Sequence, residues 1–215
     1  MKIFAHRGCH SPSRPENTLA AFQHAVDQGV DGIETDIRAA ADGTAILFHD
    51  RLAPDGVPVS SLTRAQLSAR VGYDVPTLEE ALLQGWDVEW DLEIKNRGGL
   101  AAAIPVLSSP RPIRAFVSSF DHQVVLAAVD VLALSGGLLI YHAPLDAARL
   151  GPPPPSIPYL IWDFETITES NAQMASDLGF RNMVYGPITE EEHRITRELG
   201  VETVITDFVE YYARS

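Results

Sequence analysis

Short apolar and β-branched runs of strand length alternate with helical patterns along this chain. The runs are KIFAH from Lys2, GIETDI from Gly32, DVEWDLEIK from Asp87, RAFVSSF from Arg114, GGLLIY from Gly136, YLIWDF from Tyr159, RNMVYG from Arg181 and ETVITDF from Glu202. Between them the apolar spacing changes to the helical period. Leu19, Phe22, Ala25 and Val26 share one face, after a capping-capable Asn17-Thr18 and before Gly29. Similar stripes start at Thr77, run from Val124 to Leu132, and cover Ser170 to Leu178 and Glu190 to Leu199, the last closed by Gly200. Such alternation leaves an open doubly wound sheet or a closed barrel, and eight strand-helix units favour a (β/α)8 TIM barrel forming a single domain over residues 1–215.

One segment breaks the rhythm. After GIETDIRA, the run Ala45 to His49 follows Ala41-Asp42-Gly43-Thr44 too closely for a helical crossover, so a β-hairpin is expected after the second strand. A two-residue Asp42-Gly43 turn would set Ala39 opposite Ile46 and Asp36 opposite His49. Glu34, two residues before Asp36, points the same way.

Both faces of a parallel barrel strand are covered, so the polar positions in Ile33-Glu34-Thr35-Asp36-Ile37 cannot be assigned to a wet side. The carboxylates must point into the lumen, held there by inward arginines or by a cation. The strand DVEWDLEIK repeats the pattern, with Glu89, Asp91, Glu93 and Lys95 on one face. Functional groups of barrels gather at the C-terminal strand ends, which selects Glu93 and Lys95 over Glu89. Glu34, Asp36 and Glu93 then offer three oxygen donors at the mouth, a set suited to one hard divalent cation, Mg²⁺ or Ca²⁺. His6 and His49 also sit at element ends. Taken singly each histidine has a structural reading; two beside one carboxylate cluster can supply a general base and a general acid.

Composition sharpens this. The net charge of −13 excludes a protein that grips nucleic acid through a basic stripe. A phosphate-bearing substrate would need a local reversal of sign by a cation and a few placed basic groups. The single cysteine, Cys9, allows no internal disulfide. The start MKIFAHRG lacks the features of a secretory signal, and no apolar run reaches the roughly 18 residues of a membrane span. A cytoplasmic protein without stable membrane insertion is the expectation, and oligomeric state is not legible.

The succession His6-Arg7-Gly8, Pro15-Glu16-Asn17-Thr18, Gly32-Ile33-Glu34-Thr35-Asp36, Asp42-Gly43, His49-Asp50, Pro76-Thr77-Leu78-Glu79-Glu80, Leu92-Glu93-Ile94-Lys95, Ser118-Ser119-Phe120 and Ile205-Thr206-Asp207 resembles the glycerophosphodiester phosphodiesterase family. The resemblance implies a barrel shared with phosphatidylinositol-specific phospholipases C. It implies one divalent ion on Glu34, Asp36 and Glu93, catalysis by His6 and His49, and a small-molecule phosphodiester as substrate. Arg7 and Lys95 match positions that meet the phosphate, and Glu16 with Asn17 would line the mouth. A substrate hydroxyl would attack phosphorus, with His6 as base and His49 as acid or the reverse, and water would open the cyclic phosphate. Only residues 51–75 stand where a small inserted cap is common, and Val184-Tyr185-Gly186 replaces a Trp-containing stretch. Both departures touch the alcohol side.

Rival readings are a phospholipase D-like enzyme acting on lysophospholipids or sphingolipids, and a barrel that binds without catalysis. Cys9 and His10 read as rim residues, and His24, His122, His142 and His193 as surface residues. Trp162 could stack on a headgroup or pack in the core.

Overall fold

A computed structural model describes residues 1–142 and 151–212. Eight parallel strands close on themselves: β1 (Lys2–His6), β2 (Gly32–Ala39), β4 (Glu89–Ile94), β5 (Arg114–Ser119), β6 (Ser135–Ile140), β7 (Tyr159–Asp163), β8 (Arg181–Tyr185) and β9 (Thr203–Thr206). Pairing of β1 with both β9 and β2 closes the ring, and every run expected to be a strand takes part. Strand β3 (Ala45–Leu47) lies outside it, antiparallel to β2, as the hairpin.

Helices α1 (Leu19–Asp27), α3 (Leu78–Leu83), α5 (His122–Val131), α6 (Glu169–Leu178) and α7 (Glu190–Glu198) occupy the expected stripes. Threonine caps recur: the hydroxyls of Thr18, Thr77, Thr168 and Thr189 each accept a first-turn backbone N–H. Two helices lacked a clear periodic signal. Helix α2 (Arg64–Val71) buries only Leu67, and α4 (Arg97–Leu107) carries Gly98, Gly99 and Pro105. In α4 the glycine has a packing reason, because a Cβ on Gly99 would stand 2.8 Å from Ile37 O of β2.

The hairpin corrects the expected register by one residue. Ile37 faces Leu47, Arg38 faces Ile46 and Ala39 faces Ala45. The turn spans three residues, not two: Gly43 N donates to Ala40 O at 3.0 Å, Ala40 N donates to Thr44 O at 2.9 Å, and Gly43 adopts φ 83°. Asp36 is therefore opposite Phe48, whose N–H donates to Asp36 O at 3.0 Å. Strict alternation would now turn His49 away from Asp36. The strand ends at Leu47, however, and Arg38 anchors the chain beyond it by donating from Nε (2.8 Å) and Nη2 (2.6 Å) to His49 O.

The lumen has two chemical halves. Phe4, Phe116, Leu139, Tyr159, Ile161, Met183 and Ile205 form an apolar cluster across much of its section. Strands β2 and β4 contribute the charged remainder, while Ile33, Ile37, Leu92 and Ile94 face the helices in the main core. Gly32 makes room at the closure, where a Cβ would meet the Phe4 ring at 2.4 Å. Among the described residues, no helix is long and apolar enough to cross a membrane.

Candidate active site

The His6-Arg7-Gly8 segment turns sharply as β1 ends. Arg7 and Gly8 both have positive φ (55° and 79°), and a Cβ on Gly8 would come 2.7 Å from the Ala21 carbonyl carbon, so only glycine lets α1 approach this closely. The turn brings Arg7 back over β2. Its backbone N–H donates to Glu34 O and Glu34 Oε2, its Nη1 donates to both Glu16 oxygens, and its Nε lies 3.2 Å from Asp36 Oδ2.

Parallel register places Glu34 beside Asp91 and Asp36 beside Glu93. Glu34, Asp36 and Glu93 each bring a carboxylate oxygen within 4.8 Å of the others. Lys95 Nζ stands 2.6 Å from both Asp36 Oδ1 and Glu93 Oε1. The electrostatics divide these acids. Burial works to raise the Asp36 carboxyl, but Lys95, Arg7 and His49 overcome it and hold the group at about 2. Burial, with the charges of Asp36, Glu93 and Asp91, pushes Glu34 well above the usual range. Asp91 is raised by burial to about 8, although the Ser118 hydroxyl donates to its Oδ1 at 2.5 Å. Glu93 is raised by burial in the same way, with Lys95 opposing.

Two imidazoles flank this cluster. His6 Nδ1 lies 2.8 Å from Asp207 Oδ1 and its Nε2 lies 3.9 Å from Glu34 Oε2. A proton assigned to Nδ1 satisfies Asp207 and leaves the Nε2 lone pair toward the cluster. His10 Nε2 shares the same Asp207 oxygen at 3.0 Å. Burial opposes ionisation of Asp207, yet hydrogen bonds from His10 and His6 hold its carboxyl well below the ordinary range. His49 Nδ1 lies 2.9 Å from Asp50 Oδ1.

A cavity of about 200 Å³ opens here. His6, Arg7, Glu34, His49, Glu93 and Lys95 line one side; Phe120, Leu139, Tyr141, Tyr185 and Ile205 line the other. Asp36 lies fully buried beneath it. Asn17, expected at the mouth, is only 1% exposed and spends its amide on β2: Nδ2 donates to Asp36 Oδ2, while Oδ1 accepts from Thr35 Oγ1 and Asp36 N. Glu16 meets Arg7.

Three residues acquire a place that residue-type reasoning left open. Asp207, Asp91 and Ser118 touch the histidine or the acids directly, and alternation along Ile205-Thr206-Asp207 and Asp91-Leu92-Glu93 carried the signal for the two aspartates. His193 is not a surface residue but fully buried, and Trp162 packs in the core with Nε1 donating to Asn182 Oδ1 at 2.8 Å. The Cys9 thiol is buried and pushed up to about 11 by that burial, so it is a poor nucleophile.

The acidic set fits a divalent cation. Four buried carboxylates face the two basic side chains of Arg7 and Lys95, and Glu34 Oε1 and Asp91 Oδ2 have no hydrogen-bond partner. A cation held by such oxygens would offset the burial and mutual repulsion that raise Glu34 and Glu93.

Fold and site together define a (β/α)8 barrel with an acidic, histidine-flanked centre at the C-terminal strand ends. The sequence signature of the glycerophosphoryl diester phosphodiesterase family matches residues 6–122, more than half of the chain. The chain belongs to this family. It is 37% identical over 161 residues to the probable glycerophosphodiester phosphodiesterase 2 of Mycobacterium tuberculosis, covering 68% of this chain and 60% of that protein. A glycerophosphodiester phosphodiesterase of Bacillus altitudinis is 51% identical over 49 residues, 23% of this chain and 20% of that one. Among solved structures, the Oleispira antarctica phosphodiesterase in complex with the product sn-glycerol-3-phosphate superposes with TM-score 0.82 at 22% identity, covering 97% of this chain and 93% of that one. The glycerophosphodiester phosphodiesterase of Thermotoga maritima does so with TM-score 0.79 at 24% identity, covering 98% and 96%. These two superpositions establish the shared barrel.

Proposed function

We propose that this protein hydrolyses glycerophosphodiesters to sn-glycerol 3-phosphate and an alcohol, with one divalent cation, Mg²⁺ or Ca²⁺, as cofactor. The observation that carries the reading is one cavity lined by His6, His49, Arg7, Lys95, Glu34 and Glu93. The family and the product held by the Oleispira antarctica enzyme supply the substrate class.

Glu34, Asp36 and Glu93 would hold the cation, which when bound supplies charge stabilisation to the non-bridging phosphate oxygens. Arg7 and Lys95 add positive charge on the same side. His6, anchored through Nδ1 on Asp207, presents Nε2 as the base that takes the proton from a substrate hydroxyl. That oxygen bonds to phosphorus as the bond to the alcohol breaks. His49 gives the departing alkoxide a proton, and water then opens the cyclic phosphate. Glu16 orients Arg7, and Asn17 holds Asp36 in place.

The test is release of glycerol 3-phosphate from glycerophosphocholine, glycerophosphoethanolamine and glycerophosphoglycerol with Mg²⁺, Ca²⁺ or Mn²⁺, and its loss with EDTA. No release from any of the three would overturn the substrate class. Release of choline from lysophosphatidylcholine would favour the phospholipase D-like alternative.

A further inference from the structure

We propose that His193 and Thr206 are positioning residues for His6, acting through the turn that aims Asp207. The inference rests on the reading of His6 as the base. His193 lies on α7 with its side chain fully buried, away from the cavity, where an imidazole needs a reason. Its Nδ1 is 2.6 Å from Thr189 O, and its Nε2 is 2.7 Å from Thr206 Oγ1.

The polarity of this pair is determined by its neighbours. A carbonyl only accepts, so the proton sits on Nδ1 and donates to Thr189 O. Nε2 is then an acceptor, and the Thr206 O–H donates to it. Thr206 Oγ1 in turn accepts the backbone N–H of Phe208 at 3.0 Å. The threonine hydroxyl thus ties the residue before Asp207 to the residue after it, and His193 fixes the rotamer that lets it do so.

Packing converges on the same turn. The Phe208, Tyr211 and Tyr212 rings stand 6.1, 4.9 and 5.2 Å from the His193 ring, so the segment leaving Asp207 wraps around it. On the other side, Thr206 pairs with Ala5 in the β9–β1 ladder, which sets Asp207 next to His6. Asp207 Oδ1 then takes His6 Nδ1 at 2.8 Å. Burial holds His193 in the neutral form that this arrangement needs.

Thr206→Val keeps the shape and removes the hydroxyl; Thr206→Ser restores it. With Mg²⁺-loaded enzyme and glycerophosphocholine, Thr206→Val is expected to lower kcat about tenfold with KM within about twofold, and Thr206→Ser to recover most of it. In an Asp207→Asn background the same change should cost less than about twofold, because both act through one carboxylate. The His6 Nδ1–H resonance, read by ¹⁵N NMR without turnover, should be protected in the wild type and in Thr206→Ser and lost in Thr206→Val. If that pattern holds while no glycerophosphodiester is cleaved, the substrate reading fails and the positioning role stands. A folded Thr206→Val with unchanged kcat and an unchanged His6 resonance would overturn the proposal, as would an equal loss in the Asp207→Asn background. Should Thr206→Val not fold, His193→Gln is measured against Asp207→Asn with the same two outcomes.

Discussion

Asn17 and Asp36 are joined twice: Asn17 Nδ2 donates to Asp36 Oδ2 at 2.7 Å, and the Asp36 backbone N–H reaches Asn17 Oδ1 at 3.2 Å. Asn17 sits at φ 56°, a conformation asparagine tolerates better than most residues. Its replacement by alanine leaves buried acceptors and donors without partners. Asn17→Ala is expected to cost about 1–3 kcal/mol of stability and to weaken cation binding about 10- to 100-fold. Urea unfolding and calorimetric titration with Mg²⁺ or Ca²⁺ measure the two; unchanged cation affinity would show that Asp36 needs no support.

Glu34 is crowded by Asp36, Glu93 and Asp91 in a buried site, and its carboxyl is raised well above the usual range. The native state therefore retains a proton that the unfolded chain releases above about pH 4.5, so this group costs stability as pH rises. Glu34→Gln should raise the melting temperature of the metal-free protein near pH 7 and remove the further rise produced by Ca²⁺ or Mg²⁺. A variant stabilised by cation as strongly as the wild type would place the ion elsewhere.

His49 faces the cavity and holds its backbone carbonyl on Arg38, so trimming the ring leaves the local chain anchored. His49→Ala is expected to lower kcat by about 10²–10⁴ with the fold and cation affinity retained, as removal of a general acid does. Loss of cation binding instead would make it a ligand.

Gly99 lets α4 lie against β2, where an added Cβ would come 2.8 Å from Ile37 O. Gly99→Ala should therefore destabilise by about 1–3 kcal/mol despite the better helix propensity of alanine. Gly29→Ala meets no atom within 4 Å but must adopt φ 73°, so its cost is backbone strain alone. Urea midpoints at unchanged slope compare the two, and a stabilised Gly99→Ala would contradict the close packing.

His193 has its titration lowered by burial. The unfolded chain takes up a proton below about pH 6.5 that the native state refuses, so this residue's contribution is lost as pH falls through that range. His10 has the opposite sign, because its hydrogen bond to Asp207 raises it and the native state binds the proton more tightly. The wild-type and His193→Gln proteins should therefore diverge in pH slope between about pH 5 and 7, the variant being flatter on the acid side. Parallel melting curves across that range would mean that burial does not shift the titration of His193.

Strand existence was legible in the sequence because all eight barrel strands are covered on both faces, and buried strands read as apolar runs wherever they lie. Polar interruptions in two of them, Glu34-Asp36 and Asp91-Glu93-Lys95, are forbidden in such runs without a purpose, which is why the acidic centre showed from pattern alone. Helices α2 and α4 did not, because one buries a single leucine and the other buries mostly small residues, Gly99, Ala102 and Ala103 beside Leu100, and carries Pro105, which blurs the helical period.

Tertiary structure decided what depends on pairs far apart in the chain. The hairpin register turned on a three-residue loop where the sequence allowed two, and Arg38 of β2 anchors the backbone at His49 beyond the loop. Asn17 is buried against Asp36 and Thr35 and does not line the cavity, because φ and hydrogen bonding, not residue type, direct an amide. The partner of His6 is Asp207, 201 residues away in the chain, and closure of β9 onto β1 is what brings them together. Periodicity records which face a residue takes, since that is set by local backbone geometry. Which residue it meets there is set by barrel closure, which no local pattern encodes.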